Sequence, residues 1–399
     1  MAAIPFRGPF CERCRTLSPS RSKKTLAPLA AFGAAQRIAF APLLFQAART
    51  LRDRGILAQL AERRRQGVRI DDLAARTGTS RYGVTVLLEA GLAAGIVERQ
   101  GDLFRATHVG ILLERDPLTR ANMNFVADVC YRPAEHLNAS IERGEPAGLK
   151  ELGNWPTIYD GLAALGEPAL SSWLAFDHFY SDDAFPLVLE NVFASRPRRI
   201  LDVGGNTGKF ALQVLRHDRD VRITIADLPG QIASCRRALE AAGLAERAEF
   251  HPLSILDENA ELPSGHDVIW MSQFLSCFGE DEILHVLSVA RRALPPGGRL
   301  LVLDNLWDRQ ANEVGRFCLQ AISLYFTCVA NGKSRMYDSK TLLGCIHRSG
   351  FAIERETDRI GWGHSLIECR PAPASPGNVG DTPPSPGTDD AVPPPPSSA

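Results

Sequence analysis

The stretch with the most chemical content runs from Arg199 to Phe210, "RILDVGGNTGKF". A glycine-rich turn between a strand and a helix can hold NAD, hold another nucleotide, or simply turn the chain. A dinucleotide turn needs G-x-G-x-x-G, and Gly204, Gly205 and Gly208 do not fall on that frame. They fit acid-x-G-x-G-x-G instead, read as Asp202, Gly204, Asn206 and Gly208. Asn is the side chain that best tolerates a left-handed backbone in place of glycine. Asp227 closes the next strand 19 residues after Gly208, where a carboxylate can accept from both hydroxyls of a ribose. Lys209 is the turn's only cation, so a nucleoside without phosphate fits better than a pyrophosphate.

Alternating strands and helices position that turn. From Arg198, "RRILDVGG", "VRITIADLP", "AEFHPLS", "HDVIWMSQFL" and "RLLVLDNLW" read as strands, separated by helices such as "GKFALQVLRHD" and "EDEILHVLSVARRAL". This order implies an α/β doubly wound sheet with ligands at the carboxyl ends of its strands. A different texture precedes it. "PLLFQAARTLRDRGILAQLA" has helical spacing, a short helix starts at Asp71, the chain turns at Thr77-Gly78-Thr79, and a second helix begins near Ser80. Two short strands flank Gln100-Gly101-Asp102, completing a winged helix. A DNA-reading helix needs basic and amide side chains on its exposed face. "SRYGVTVLLEAGLAAG" offers Arg81 and then apolar or small residues, so it reads as a surface buried against another subunit.

Between the two lie "NWPTIYDGL" and "SSWLAFDHFYSDDAFP", the second with aromatics interleaved among Asp177, His178, Tyr180, Asp182 and Asp183. These aromatics either line a pocket for a flat substrate or pack the domains together, and the readings are compatible.

A winged-helix first domain followed by "LDVGGNTGKFA", "IADLP", "WMSQFLSCFGEDEIL" and "ALPPGGRLLVLDNL" resembles the small-molecule O-methyltransferases of the plant and bacterial type. Caffeate and acetylserotonin methyltransferases and bacterial natural-product enzymes belong there. The resemblance covers roughly residues 36–370. It implies a class I methyltransferase fold, a homodimer formed through the winged helix, and methyl transfer from S-adenosyl-L-methionine to a hydroxyl of a small aromatic substrate. It puts Asp202, Gly204, Gly205, Asn206, Gly208, Asp227 and Leu228 around the cofactor, with Ser254 at the adenine-side position and Ser272 or Gln273 on the adjacent strand. The family's catalytic histidine, in L-H-D-W, falls on Ser276 of "LSCF". The acids that orient it align with Asp304 and Ser334. Serine cannot replace imidazole as a base at neutral pH. The catalytic group is thus open, with Asp304, His178 and Asp177 as the side chains to look at. C-methylation of a phenol or enol, and a non-catalytic winged-helix ligand sensor, are the alternatives.

Composition bounds the rest. The 399 residues give a net charge of -1, which supplies no general attraction for nucleic acid, and no apolar run approaches the roughly 20 residues of a membrane span. Nine scattered cysteines speak for a reducing cytoplasm rather than a disulfide framework. Cys11 and Cys14 form a lone C-x2-C without a second pair, so no metal site is expected. Residues 1–35 carry six Arg or Lys and one acid, and read as a disordered or targeting-like leader. The expected divisions are 36–110 for the winged helix, 111–195 for a helical substrate-lining region, and 196–370 for the cofactor domain. Residues 371–399, with ten prolines, read as a disordered tail.

Overall fold

The computed structural model describes residues 27–373. The Cys11–Cys14 pair and most of the expected leader and tail lie outside these residues. One boundary moves. A helix, Pro28–Ala39, begins inside the stretch assigned to the leader, with proline in its first turn and an alanine-rich run behind it.

The first domain follows the expected winged-helix order. Helix Ile70–Thr77 ends at Gly78 in the left-handed region, and Ser80 caps helix Arg81–Ala93 by accepting from the Gly83 N–H. Strands β1 (Val97–Gln100) and β2 (Leu103–Ala106) form the antiparallel wing. Arg81, the only basic residue of the second helix, donates to Asp71 at 2.8 Å, so its charge is already engaged. Leu29, Phe32, Ile38, Phe40, Leu43 and Tyr82 leave apolar surface exposed on this domain.

The second domain is built on one sheet of seven strands. They are β3 (Arg199–Val203), β4 (Arg222–Asp227), β5 (Ala248–Pro252), β6 (Val268–Ser272), β7 (Arg299–Asn305), β8 (Phe351–Ile360) and β9 (His364–Pro371). Their spatial order is β5-β4-β3-β6-β7-β9-β8, parallel from β5 to β7 and antiparallel at β9 and β8. The connection direction reverses between β3 and β6, and a crevice opens above their carboxyl ends. Side chains alternate across the central strands, as period two requires. Leu201, Val203, Ile269 and Met271 enter one core layer, while Ile200, Val268 and Trp270 enter the other. Trp270 stacks on Phe210 of helix Lys209–His217, which follows β3, with ring centroids 4.3 Å apart, and this fixes that helix over the sheet.

The intervening helices build the outer wall of the crevice. Two of them continue as π-helical turns, Val126–Cys130 and Phe326–Ala330, a geometry that often accompanies functional sites. Phe125, Trp173, Tyr325 and Phe326 pack there in one apolar cluster. The aromatic segment thus serves both expected ends. Trp173 and Phe176 face the crevice, while Tyr180 donates to Asn122 and Asp183 accepts from the Trp362 indole.

Candidate active site

A cavity of about 590 Å³ opens over the carboxyl ends of β3, β4 and β6 and extends under the aromatic wall. Of the residues singled out by sequence, Asp202, Gly204, Gly205, Asn206, Asp227, Leu228, Ser254, Ser272, Gln273 and Ser276 line it, together with Asp177 and His178. Gly208, Asp304 and Ser334 do not, nor do Tyr180, Asp182 and Asp183. Gly208 starts the next helix in the left-handed region and lies against Cys235, so close approach of two helices accounts for its missing side chain. Asp304 sits behind the wall, 2% exposed.

The turn after β3 is held by hydrogen bonds rather than by apolar packing. Gly204 has φ of 79°, and a Cβ there would run into the Phe274 ring. Asn206 takes φ of 48°, the left-handed geometry for which asparagine was read as a tolerable exchange. Its backbone N–H donates to Asp227 Oδ2 at 2.8 Å, and its Nδ2 donates to Asp177 Oδ2 at 3.0 Å. The other Asp227 oxygen accepts from the Leu228 N–H at 2.7 Å. One carboxylate therefore ties the ends of β3 and β4 together. Gln273, at the end of β6, also has positive φ, 49°, and its N–H donates to the Leu303 carbonyl. Backbone strain of this kind persists only where the surroundings enforce it, and here it falls on the cavity wall.

The cavity is electronegative at this end. Burial, and then the neighbouring charge of Asp227, push the Asp202 carboxyl up to about 8. Burial raises Asp227 to about 6 against the pull of its two backbone donors. Asp202 Oδ2 and Ser272 Oγ are buried and have no hydrogen-bond partner. Two buried carboxyls and unsatisfied polar atoms fit a ligand that brings a positive charge and its own donors. Lys209, which lines the cavity, contributes little charge, because its ammonium lies 3.5 Å from Asp182. His178 contacts Asp182 at 3.3 Å and Thr207 Oγ1 at 3.2 Å, an orientation that ties it to the turn.

At the family's base position, Ser276 is buried on a short 3-10 turn, and its N–H donates to Asp304 Oδ2 at 3.2 Å. Burial raises Asp304 to about 6, against the Asn305 and Ser276 N–H groups that stabilise its anion. Ser334 does not join them. Its N–H and hydroxyl donate to Asn331 Oδ1, while Asn331 Nδ2 donates to the Cys277 carbonyl at 2.6 Å. The Asp304 and Asn331 side chains thus brace the Leu275–Cys277 turn at its backbone groups, and no imidazole stands on it. Among the described residues, no group of His, Cys, Asp and Glu is arranged to hold a metal ion.

One wall of the cavity carries Tyr159, from the aromatic segment "NWPTIYDGL", and Tyr325, which sequence reasoning passed over. Tyr159 stands on the single-turn helix Ile158–Gly161 and Tyr325 on helix Glu313–Tyr325. A recognisable signal preceded the first of them, since "TIYD" forms a capping box between Thr157 and Asp160.

Two family models match the chain, a Dimerisation2-like domain over residues 33–104 and an O-methyltransferase domain over residues 185–352. Aclacinomycin 10-hydroxylase RdmB of Streptomyces purpurascens is 29% identical over 67% of this chain and 71% of its own length. A 3-amino-4-hydroxybenzoate 4-O-methyltransferase of Streptomyces cremeus is 28% identical over 72% of this chain and 76% of its own. In fold, the chain is similar to the mitomycin 7-O-methyltransferase MmcR. The TM-score is 0.67 at 22% identity, covering 86% of this chain and 98% of that one.

Proposed function

We propose, from the premise that this chain belongs to the S-adenosylmethionine-dependent small-molecule O-methyltransferases and uses S-adenosyl-L-methionine, that it methylates a hydroxyl of a small aromatic metabolite without a histidine base. The observation that carries this reading is the Gly204–Asn206 turn fastened to Asp227 at the switch point of the sheet, opening directly into an aromatic-walled cavity. In this reading Asp227 accepts from the ribose, Ser254 from the adenine amine, and Asp202 faces the methionine end, with Gly204, Gly205, Asn206, Leu228, Ser272 and Gln273 completing the contact. Gly208 acts through helix packing. When bound, the cofactor would supply a sulfonium-activated methyl to the acceptor oxygen, whose proton would leave to water.

The chain's own residues then orient and exclude. Phe125, Trp173, Phe176 and Phe326 provide flat apolar walls for a ring, and holding a nucleophile in line with an already activated methyl supplies much of the rate. Burial raises both Asp304, to about 6, and Asp177, yet Asp304 lies behind Ser276 and Asp177 accepts from Asn206. Both are positioning residues in this account. A carbanion-like enolate bound in the same cavity would be methylated on carbon, which the product distinguishes.

Incubation with methyl-labelled cofactor and a panel of phenols, catechols and enols tests the reading. Label is expected in an acceptor, on oxygen by NMR; cofactor binding without transfer to any hydroxyarene would defeat it. The 36–110 domain, with its exposed apolar helices, is proposed as a homodimer surface, and the 196–370 domain as the cofactor-binding unit. A cytoplasmic site is proposed as well, in keeping with the seven described cysteines being free.

The electronegative turn carries its own expectation. A sulfonium favours the ionised forms of Asp202 and Asp227, so binding it releases protons from groups that titrate at about 8 and about 6. A ligand that prefers the deprotonated site binds more tightly as pH rises. S-adenosylmethionine affinity should therefore climb several-fold more steeply between pH 6 and 8 than that of S-adenosylhomocysteine, which lacks the sulfonium. Calorimetric titration across that range would detect it. Equal slopes would mean that the carboxyls do not face the charge.

A further inference from the structure

The acceptor end of the cavity contains two phenol hydroxyls whose protons find no strong acceptor in the protein. The Tyr159 hydroxyl is buried and has no hydrogen-bond partner. Its nearest titratable neighbours are Cys277, Tyr325 and Asp177. Cys277 alone is close enough to share its proton, and a thiol is a weak acceptor. The Cys277 thiol donates to the Gln273 carbonyl, and Asp177 Oδ2 accepts from Asn206. Tyr325 accepts from the Trp173 indole at 2.8 Å, which occupies its oxygen and leaves its own proton directed elsewhere. Burial pushes both phenols well above the ordinary tyrosine range, so each remains an O–H donor at every working pH.

Tyr159 is also held firmly. Thr157 and Asp160 cap its one-turn helix reciprocally, and its carbonyl accepts from Gln231. Gly153 and Gly161 admit the Trp155 indole so closely that a Cβ at either position would collide with it. A donor fixed this well, on a residue that lines the cavity and without a strong acceptor in the protein, is suited to recognition.

We propose that Tyr159 and Tyr325 donate to a carbonyl oxygen on the methyl acceptor, so that the substrates are hydroxyarenes with a carbonyl beside the reacting hydroxyl, as in hydroxyquinones and hydroxyaryl ketones. This rests on the proposed function and narrows it. The chemistry agrees with the missing imidazole, because conjugation with a carbonyl acidifies the neighbouring hydroxyl and lets it ionise in water. The O–H donors then face acceptor lone pairs rather than the substrate's own proton.

The test uses the full-length protein saturated with S-adenosylhomocysteine and two ring systems of similar size, 2-hydroxy-1,4-naphthoquinone and 2-naphthol. Calorimetry should find the quinone bound at least about tenfold more tightly, the scale of one buried hydrogen bond made rather than left unsatisfied. Tyr159→Phe should bring that ratio close to one while leaving naphthol binding and the cofactor's melting shift in place. Tyr325→Phe should reduce it too. Tyr325 also supports Trp173, so if that variant does not fold, Tyr159→Phe decides alone. A wild-type ratio near one, or an undiminished ratio in Tyr159→Phe, would overturn the assignment and leave the phenol to water. Absence of binding by either ring, with the cofactor shift intact, would overturn it as well. Loss of the cofactor shift in the wild type would instead defeat the proposed function, which separates the two failures.

Discussion

Asp227→Ala is expected to remove nearly all of the rise in melting temperature that S-adenosylhomocysteine produces. A ligand that binds only the folded state stabilises it by mass action, so the shift reports affinity. The substitution deletes the proposed ribose acceptor and also strands the N–H groups of Asn206 and Leu228, which now donate to the carboxylate at 2.8 and 2.7 Å. An unsatisfied buried donor costs about 1–3 kcal/mol, and the turn that it shapes would relax away from its left-handed geometry. The combined loss of affinity should be on the order of a hundredfold or more. Asp227→Asn sharpens the experiment. Burial raises this carboxyl to about 6, so the folded state holds the proton more tightly than the unfolded chain does. Stability present at low pH is therefore lost as pH rises through about 6, and a neutral amide escapes that loss. The Asn variant should melt near the wild type without ligand at pH 7, yet gain little from S-adenosylhomocysteine. A full shift in either variant would put the cofactor elsewhere.

Transfer rate should follow the acidity of the acceptor rather than any side chain. Removing a general base typically costs 10²–10⁴-fold, roughly 3–5 kcal/mol of barrier. Ser276 carries no such role in the proposed mechanism, since it only supports the Asp304 carboxyl, through its backbone N–H, which alanine retains, and its hydroxyl, which alanine loses. Ser276→Ala should then cost less than about tenfold, well under the general-base scale. Across hydroxyarenes of graded pKa, rate should rise about tenfold per pH unit until the acceptor itself has ionised, and then level off. Asp304 provides the contrast. A base there would give every acceptor the same inflection near pH 6, where its buried carboxyl titrates. An acceptor-independent inflection abolished by Asp304→Asn would reject the base-free account. So would a thousandfold loss in Ser276→Ala with binding and melting intact, a loss of general-base size.

What could be read in advance depended on how far apart the cooperating residues lie. The acid-glycine turn, the cap at Ser80 and the αL turn at Gly78 are set by residues within one element or its neighbour. So is the pairing of period-two strands with the helices that cover them. The β8–β9 hairpin was passed over because "FAIERETDRIGWGHSLIECRP" puts charged residues along an edge strand and apolar ones along its partner. That contrast makes sense only once β9 lies buried between β7 and β8. Likewise, nothing in "VLDNLW" announces that Asp304 is sealed behind Ser276 rather than open to the cavity.

By itself the sequence determined the class of this protein. A winged helix, a βα alternation and a phosphate-free nucleoside turn are local patterns, written in spacing and backbone preference. The tertiary structure alone decided which groups share the acceptor end. Tyr159 and Tyr325 are 166 positions apart in sequence, and Asn206 meets Asp177 across 29. Their partnership, and the lack of a strong acceptor for the Tyr159 proton, arise from burial and long-range packing. Those properties belong to the folded chain and are carried by no single segment of it.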